Sequence, residues 1–136
     1  MHRLLGEDTG SESVGLAVLF PVILLLILSA VQGGLWWHAR AIAAQAAQVG
    51  VDAGRPVGAT HSAAVDAARS VTVRAGNGAL TAVDVDATVT AETVQVTVAG
   101  SAPRLLPIPG LDIRIDVSAQ ASKERFTVPL AVGVDS

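Results

Sequence analysis

The sequence predicts a membrane-anchored α+β chain. It would have one long N-terminal helix with a single transmembrane span, a short second helix, and a small antiparallel sheet of three or four strands. Three observations predict it. Residues 14–37 form a run of 24 residues without a charged side chain. Residues 38–54 continue it as an alanine-rich stretch with no proline. From Ala79 onward, valines alternate with polar residues, the period of a half-buried strand. The chain therefore divides into a short polar leader at 1–13, a transmembrane helix at 14–37, an Ala-rich helical extension at 38–55 and a small α+β domain at 56–136.

The apolar run comes first because it bounds the rest. As a helix, 24 residues span about 36 Å, against a bilayer core of about 30 Å. Only Ser29 and Gln32 are distinctly polar within it, and such side chains bond within a helix or to a neighbouring one. Trp36 and Trp37 close the run, where aromatic interface anchors belong. Pro21 removes one helical donor and makes a candidate hinge. Gln32, Gly33 and Gly34 are candidate helix-packing positions. The rival reading is a cleaved secretory signal, with Leu28-Ser29-Ala30 as its cut site. Against it, the preceding residues are net acidic and the apolar core is long for a signal. Arg3 lies on one side of the run and Arg40 and Arg55 on the other, a small bias toward a cytoplasmic carboxyl side.

Past the run, HARAIAAQAAQVGVDAG favours helix, which would extend from residue 14 to 54, about 60 Å. Gln45, Gln48, Asp52 and Arg55 share one face at spacings of three and four. The alanines permit close approach, either by the chain's own small domain or by neighbouring copies in an assembly. GRPVG at 54–58 breaks the helix, and Thr60 caps a second one with HSAAVDAARSV as its body. Val71 and Val73 read as the start of a β-prone stretch, with Gly76-Asn77-Gly78 as a turn.

Val83, Val85, Ala87 and Val89 alternate with Asp84, Asp86 and Thr88, and Val94, Val96 and Val98 repeat the pattern. Ala91-Glu92 is a hairpin connection. Gly100 to Gly110, with Pro103, Pro107 and Pro109, is a loop made apolar by Leu105, Leu106 and Ile108. It would cover the edge of the core; a docking site is the sharper reading. Ile113, Ile115 and Val117 form a further strand. Phe126, Val128, Leu130, Val132 and Val134 make a candidate last strand, with Pro129 favouring an edge.

Composition excludes several classes. At 136 residues the chain holds one domain. With 51% hydrophobic and 15% charged residues it is not generically disordered. A net charge of -3 and scattered basic residues argue against nucleic acid. The absence of cysteine removes disulfide, thiolate and Cys-metal chemistry. Asp84 and Asp86 share a strand face, as do Asp112 and Asp116. They read as a solvated face, with a cation site as the alternative. His2, His38 and His61 form no metal motif. No catalytic residue, metal site or cofactor is expected, and the chain reads as a non-enzyme.

The order of features resembles TadE-like proteins of the tight-adherence (Flp) type IV pilus machinery. The resemblance rests on GSESVGLAVLFP at 10–21 and VQGGLWWHAR at 31–40, and covers roughly residues 10–55. It implies a pseudopilin-like or minor assembly component of such a pilus or a related secretion system. The carboxyl domain would lie outside the cytoplasm, and partners would be the lipid bilayer, other pilin-like or pilus-assembly membrane proteins and copies of itself. It also implies a prepilin peptidase as a partner, cutting between Gly10 and Ser11. The glutamate expected as the fifth residue after that cut falls on Gly15, and Glu12 is the only acid nearby. Two other classes stay open: a generic single-pass envelope adaptor or adhesin module, and a secreted metal-binding module released after signal cleavage.

Overall fold

A computed structural model of the chain describes residues 4–106, 108 and 113–125, with side chains from Ser11 onward. The element order is α1 (Leu4–Gly54), α2 (His61–Gly76), β1 (Thr81–Val89), β2 (Thr93–Ser101) and β3 (Arg114–Ser122). α1 is a single helix of 51 residues with Pro21 inside it. It begins ten residues before the expected start at Val14. Once nucleated, a helix extends at one hydrogen bond per residue, and no proline in 4–13 stops it.

α1 ends at Gly54, two residues before Pro56, as the GRPVG signal predicts. A short turn follows, with Ala59 N–H donating to the Pro56 carbonyl at 3.1 Å. Thr60 then caps α2 from an extended backbone, its Oγ1 accepting from Ala63 N–H at 3.2 Å. Thr60→Ala leaves that donor unpaired and is expected to cost about 1 kcal/mol. In a domain of this size that is a fall of about 4–8 °C in the thermal midpoint, read by circular dichroism in detergent.

α2 corrects one expectation. Val71 and Val73 belong to a helix that runs to Gly76, not to a strand. Ala64, Ala68 and Val71 are buried at spacings of four and three, one helical face against the core. That burial outweighs the strand preference of valine. Arg74 in the last turn suits the negative end of the helix. Gly78 then turns the chain with φ of +83°, which a residue with a Cβ rarely adopts.

The three described strands form an antiparallel sheet in the order β1-β2-β3. Val89 pairs with Val94 across a tight hairpin. Thr90 N–H donates to the Thr93 carbonyl at 2.9 Å, and Thr90 Oγ1 accepts from Thr93 N–H at 2.9 Å. A bulge interrupts the register between Thr81 and Asp84, with Ala82 at φ of +50°. Two boundaries differ from expectation. β2 continues through Gly100 to Ser101, and β3 continues to Ser122. Gly100 is closely packed inside the strand: a Cβ there would lie 2.8 Å from Leu80 Cδ1, which would have to shift, and 3.2 Å from the Thr81 carbonyl oxygen. The candidate last strand from Phe126 to Val134 lies outside the described residues, as do Pro107, Pro109 and Asp112.

The core sits between the sheet and the two helices. α1 crosses β2 and β3, and α2 covers β1. Val94, Val96, Val98 and Ile115 from the sheet are fully buried against Ala39, Ala43, Ala46, Ala47 and Val51 of α1. Each such valine or isoleucine contributes about 1.5–3 kcal/mol by leaving water. The alanine face therefore serves the chain's own domain. Gly50 and Gly54 complete it. A Cβ on Gly50 would stand 3.0 Å from Ala64 O, Ala68 Cβ and Val96 Cγ1, and one on Gly54 would stand 2.7 Å from Val94 Cγ1.

Candidate functional site

Below the domain, α1 is bare. From Val14 to Val31 almost every large apolar side chain is exposed, among them Leu16, Phe20, Ile23, Leu26 and Ile27. This helix is long and apolar enough to cross a membrane, and none of its most apolar 18-residue stretch is buried within the protein. In water such a surface would be a large unpartnered apolar patch. The 18 residues from 14 to 31 span about 27 Å, close to the thickness of a bilayer core.

The polar groups of the run are handled internally. Ser29 Oγ donates to the Leu25 carbonyl at 2.7 Å, one turn back. Gln32 is buried, and it faces the loop between β2 and β3 instead of another helix. Its Nε2 donates to the Pro103 carbonyl at 3.0 Å, and its Oε1 accepts from Leu105 N–H at 2.9 Å. One amide side chain thus bonds a carbonyl and an N–H of a backbone segment 71 and 73 residues away. This clasp pins the loop to α1 at the upper end of the apolar run.

The other expected site residues divide around it. Gly33 and Gly34 are exposed, and a Cβ on either would meet nothing within 4 Å. Trp36 is half-buried against the core, and the Arg40 guanidinium lies 5.8 Å from its ring centroid. Trp37 points outward and is 69% exposed. With Arg40, Ala41 and Ala44 it lines a shallow groove on the outer side of α1. Gln45 and Gln48 continue that exposed face. Pro21 is exposed within the helix, and its missing N–H leaves the Ala17 carbonyl without its usual helical donor. α1 passes through Gly10 and Ser11 without a break.

The carboxylates on the outer sheet face do not converge. The register places Asp84 and Asp116 on opposite sides of Ala99, two strand spacings or about 10 Å apart. Asp86 aligns instead with Thr97 and Ser118, whose hydroxyls bond to each other at 2.9 Å. Among the described residues no group of three His, Asp or Glu side chains could hold a metal ion. Asp52 and Arg55 approach to 3.9 Å, and Glu92 pairs with Arg125 at 2.9 Å in the open. These are surface pairs of small energetic weight.

Sequence reasoning missed the clasp and the close approach at Gly50. The signal for the clasp was a lone amide in an apolar run, together with a proline-rich apolar loop far downstream. Nothing in either segment's periodicity connects them. Compared with known proteins, residues 10–52 match the family model described as TadE-like protein. The matched segment lies wholly within α1, and α2 and the sheet fall outside it. No curated protein and no solved structure matches the chain.

Proposed function

We propose that this chain, TadE-like over residues 10–52, is a membrane-anchored, non-enzymatic component of a tight-adherence pilus assembly or related secretion system. It acts by packing, as a pseudopilin-like or minor assembly protein. The carrying observation is the continuity of α1. The family segment contains both the bare apolar span and the helix on which the small domain is built. In this reading α1 crosses the membrane once and the α+β domain stands outside the cytoplasm. The exposed face of Gly33, Gly34, Trp37, Ala41 and Ala44 is the side open to another helix, from a pilin-like partner or a second copy. A peptidase cut between Gly10 and Ser11 would leave Ser11 as the first residue; the intact mass of protein purified from membranes reads this directly.

The competing reading is a single-pass adaptor that never joins a pilus apparatus. Photo-crosslinking from positions 34 and 41 in native membranes separates the two. Adducts with pilin-like or pilus-assembly membrane proteins, or with a second copy, are expected. Recovery of lipid adducts alone would support the adaptor. Gly34→Leu is a matched variant: its site is open and a helix prefers leucine to glycine there, so the thermal midpoint should not fall. Crosslinking from position 41 should nevertheless fall several-fold, because a bulky residue keeps a partner helix at a distance.

A further inference from the structure

We propose that the described residues just after β2, Pro103 to Leu106 with Ile108, make a second membrane contact, in which Leu105 and Ile108 enter the boundary between lipid headgroups and acyl chains. This rests on the membrane-anchored reading above. The clasp sets the loop's level. Gln32 holds the backbone of Pro103 and Leu105, and Gln32 lies within the apolar run, level with exposed Val31. Trp37 marks the height at which an outward aromatic meets the headgroups. Gln32 is five residues further down the helix, about 7.5 Å deeper. Pro103 and Leu105 are therefore beside the span, below the tryptophan and not above it.

Its chemistry suits that position. Leu105 and Ile108 are 46% and 49% exposed although the core lies close by. Leu105 is tied through its own N–H to Gln32, at the upper end of the bare apolar surface of α1. Backbone polar groups entering an apolar phase need partners, and the clasp provides them for the Pro103 carbonyl and the Leu105 N–H. Ile108 N–H donates to the Leu106 carbonyl at 2.9 Å, which satisfies a third group within the loop. Pro103 carries no N–H to satisfy at all. Two exposed aliphatic side chains on a clasped backbone make a shallow interfacial anchor.

The chain has no cysteine, so single-site labelling needs no background mutation. The full chain is reconstituted in phosphatidylethanolamine–phosphatidylglycerol vesicles as Ile23→Cys, Thr88→Cys, Leu105→Cys or Ile108→Cys, each carrying an environment-sensitive fluorophore. Quenching is read with nitroxide on the lipid tails and, separately, with aqueous iodide. Position 23 reports the span and position 88 the solvated sheet face. Labels at 105 and 108 should be quenched by lipid nitroxide at least threefold more than the label at 88, and by iodide at least threefold less. Values at 105 and 108 equal to those at 88, with 23 strongly lipid-quenched, would overturn the loop contact and spare the anchor. Shielding at 105 and 108 from both quenchers places protein, not lipid, on the loop and also overturns it. An unquenched label at 23 removes the anchored reading and this inference together.

Discussion

Gly50→Val should lower the stability of the folded domain by about 1–3 kcal/mol or somewhat more, the penalty of forcing carbon into a filled core. Three neighbours on two elements, α2 and β2, set that expectation. A Cβ at position 50 would stand 3.0 Å from a backbone oxygen of α2, from Ala68 Cβ and from Val96 Cγ1 of the sheet. The Ala64 carbonyl cannot rotate away as a side-chain tip can, so α1 must lift from α2 or from β2. Either movement opens the contacts of Ala46, Ala47 and Val51. Alanine at the same site tests the sign. In a helix, alanine is preferred to glycine by about 1 kcal/mol where space is free. Gly50→Ala should still lose stability, whereas Gly33→Ala, with nothing near it, should not. Each kcal/mol appears as about 4–8 °C in the thermal midpoint for a domain of this size. A Gly50→Val protein melting like the unaltered chain would show that α1 and α2 do not approach this closely.

Gln32→Leu is expected to free the loop without dissolving the core. Leucine has similar bulk and no polar atom, so the Pro103 carbonyl and the Leu105 N–H lose their partners at once. Leaving a shielded backbone group unpaired costs about 1–3 kcal/mol. The local readout is hydrogen exchange at the Leu105 amide, where 1.4 kcal/mol is about tenfold in the population of open states. Exchange there should accelerate tenfold or more, while amides of Val96 and Val98 in the central strand keep their protection. Gln32→Glu is the informative partner variant. Its carboxylate still accepts from Leu105 N–H but no longer donates to the Pro103 carbonyl, so exchange at Leu105 should rise less than with leucine. Equal protection of Leu105 in all three proteins would mean that the clasp does not hold the loop.

The parts of this fold legible in the sequence are those written in local periodicity. The uncharged run, the alanine stretch and the alternating valines each announce an element by its own spacing, and Thr60 announces a cap. The outer sheet face follows too, since Asp84, Asp86 and Asp116 occupy the polar phase of strands whose other phase is buried. What was not legible depends on partners far along the chain. Val71 and Val73 have strand-forming side chains, and only the position of Val71 on the same face as Ala64 and Ala68 makes the segment a helix. Gly50 and Gly54 look like helix weakeners until Val96 and Val94 are seen pressed against them. Gln32 looks like a residue waiting for another helix, yet its amide is taken by a loop more than seventy residues away. Local sequence carries the preference of a segment; such contacts depend on where two preferences meet.

The uninterrupted α1 has a mechanical consequence. From Trp37 to Gly54 the helix advances about 25 Å, and that length is also the central beam of the α+β domain. Between the bare span and the packed half there is no linker in which motion could dissipate. A tilt of the span is therefore a tilt of the sheet, and a turn of the span about its axis swings the outer strands through the same angle. A load applied to the domain is delivered along the helix axis into the run below Trp37. Pro21, deep in that run, is where the rod has its missing hydrogen bond and least resistance to bending.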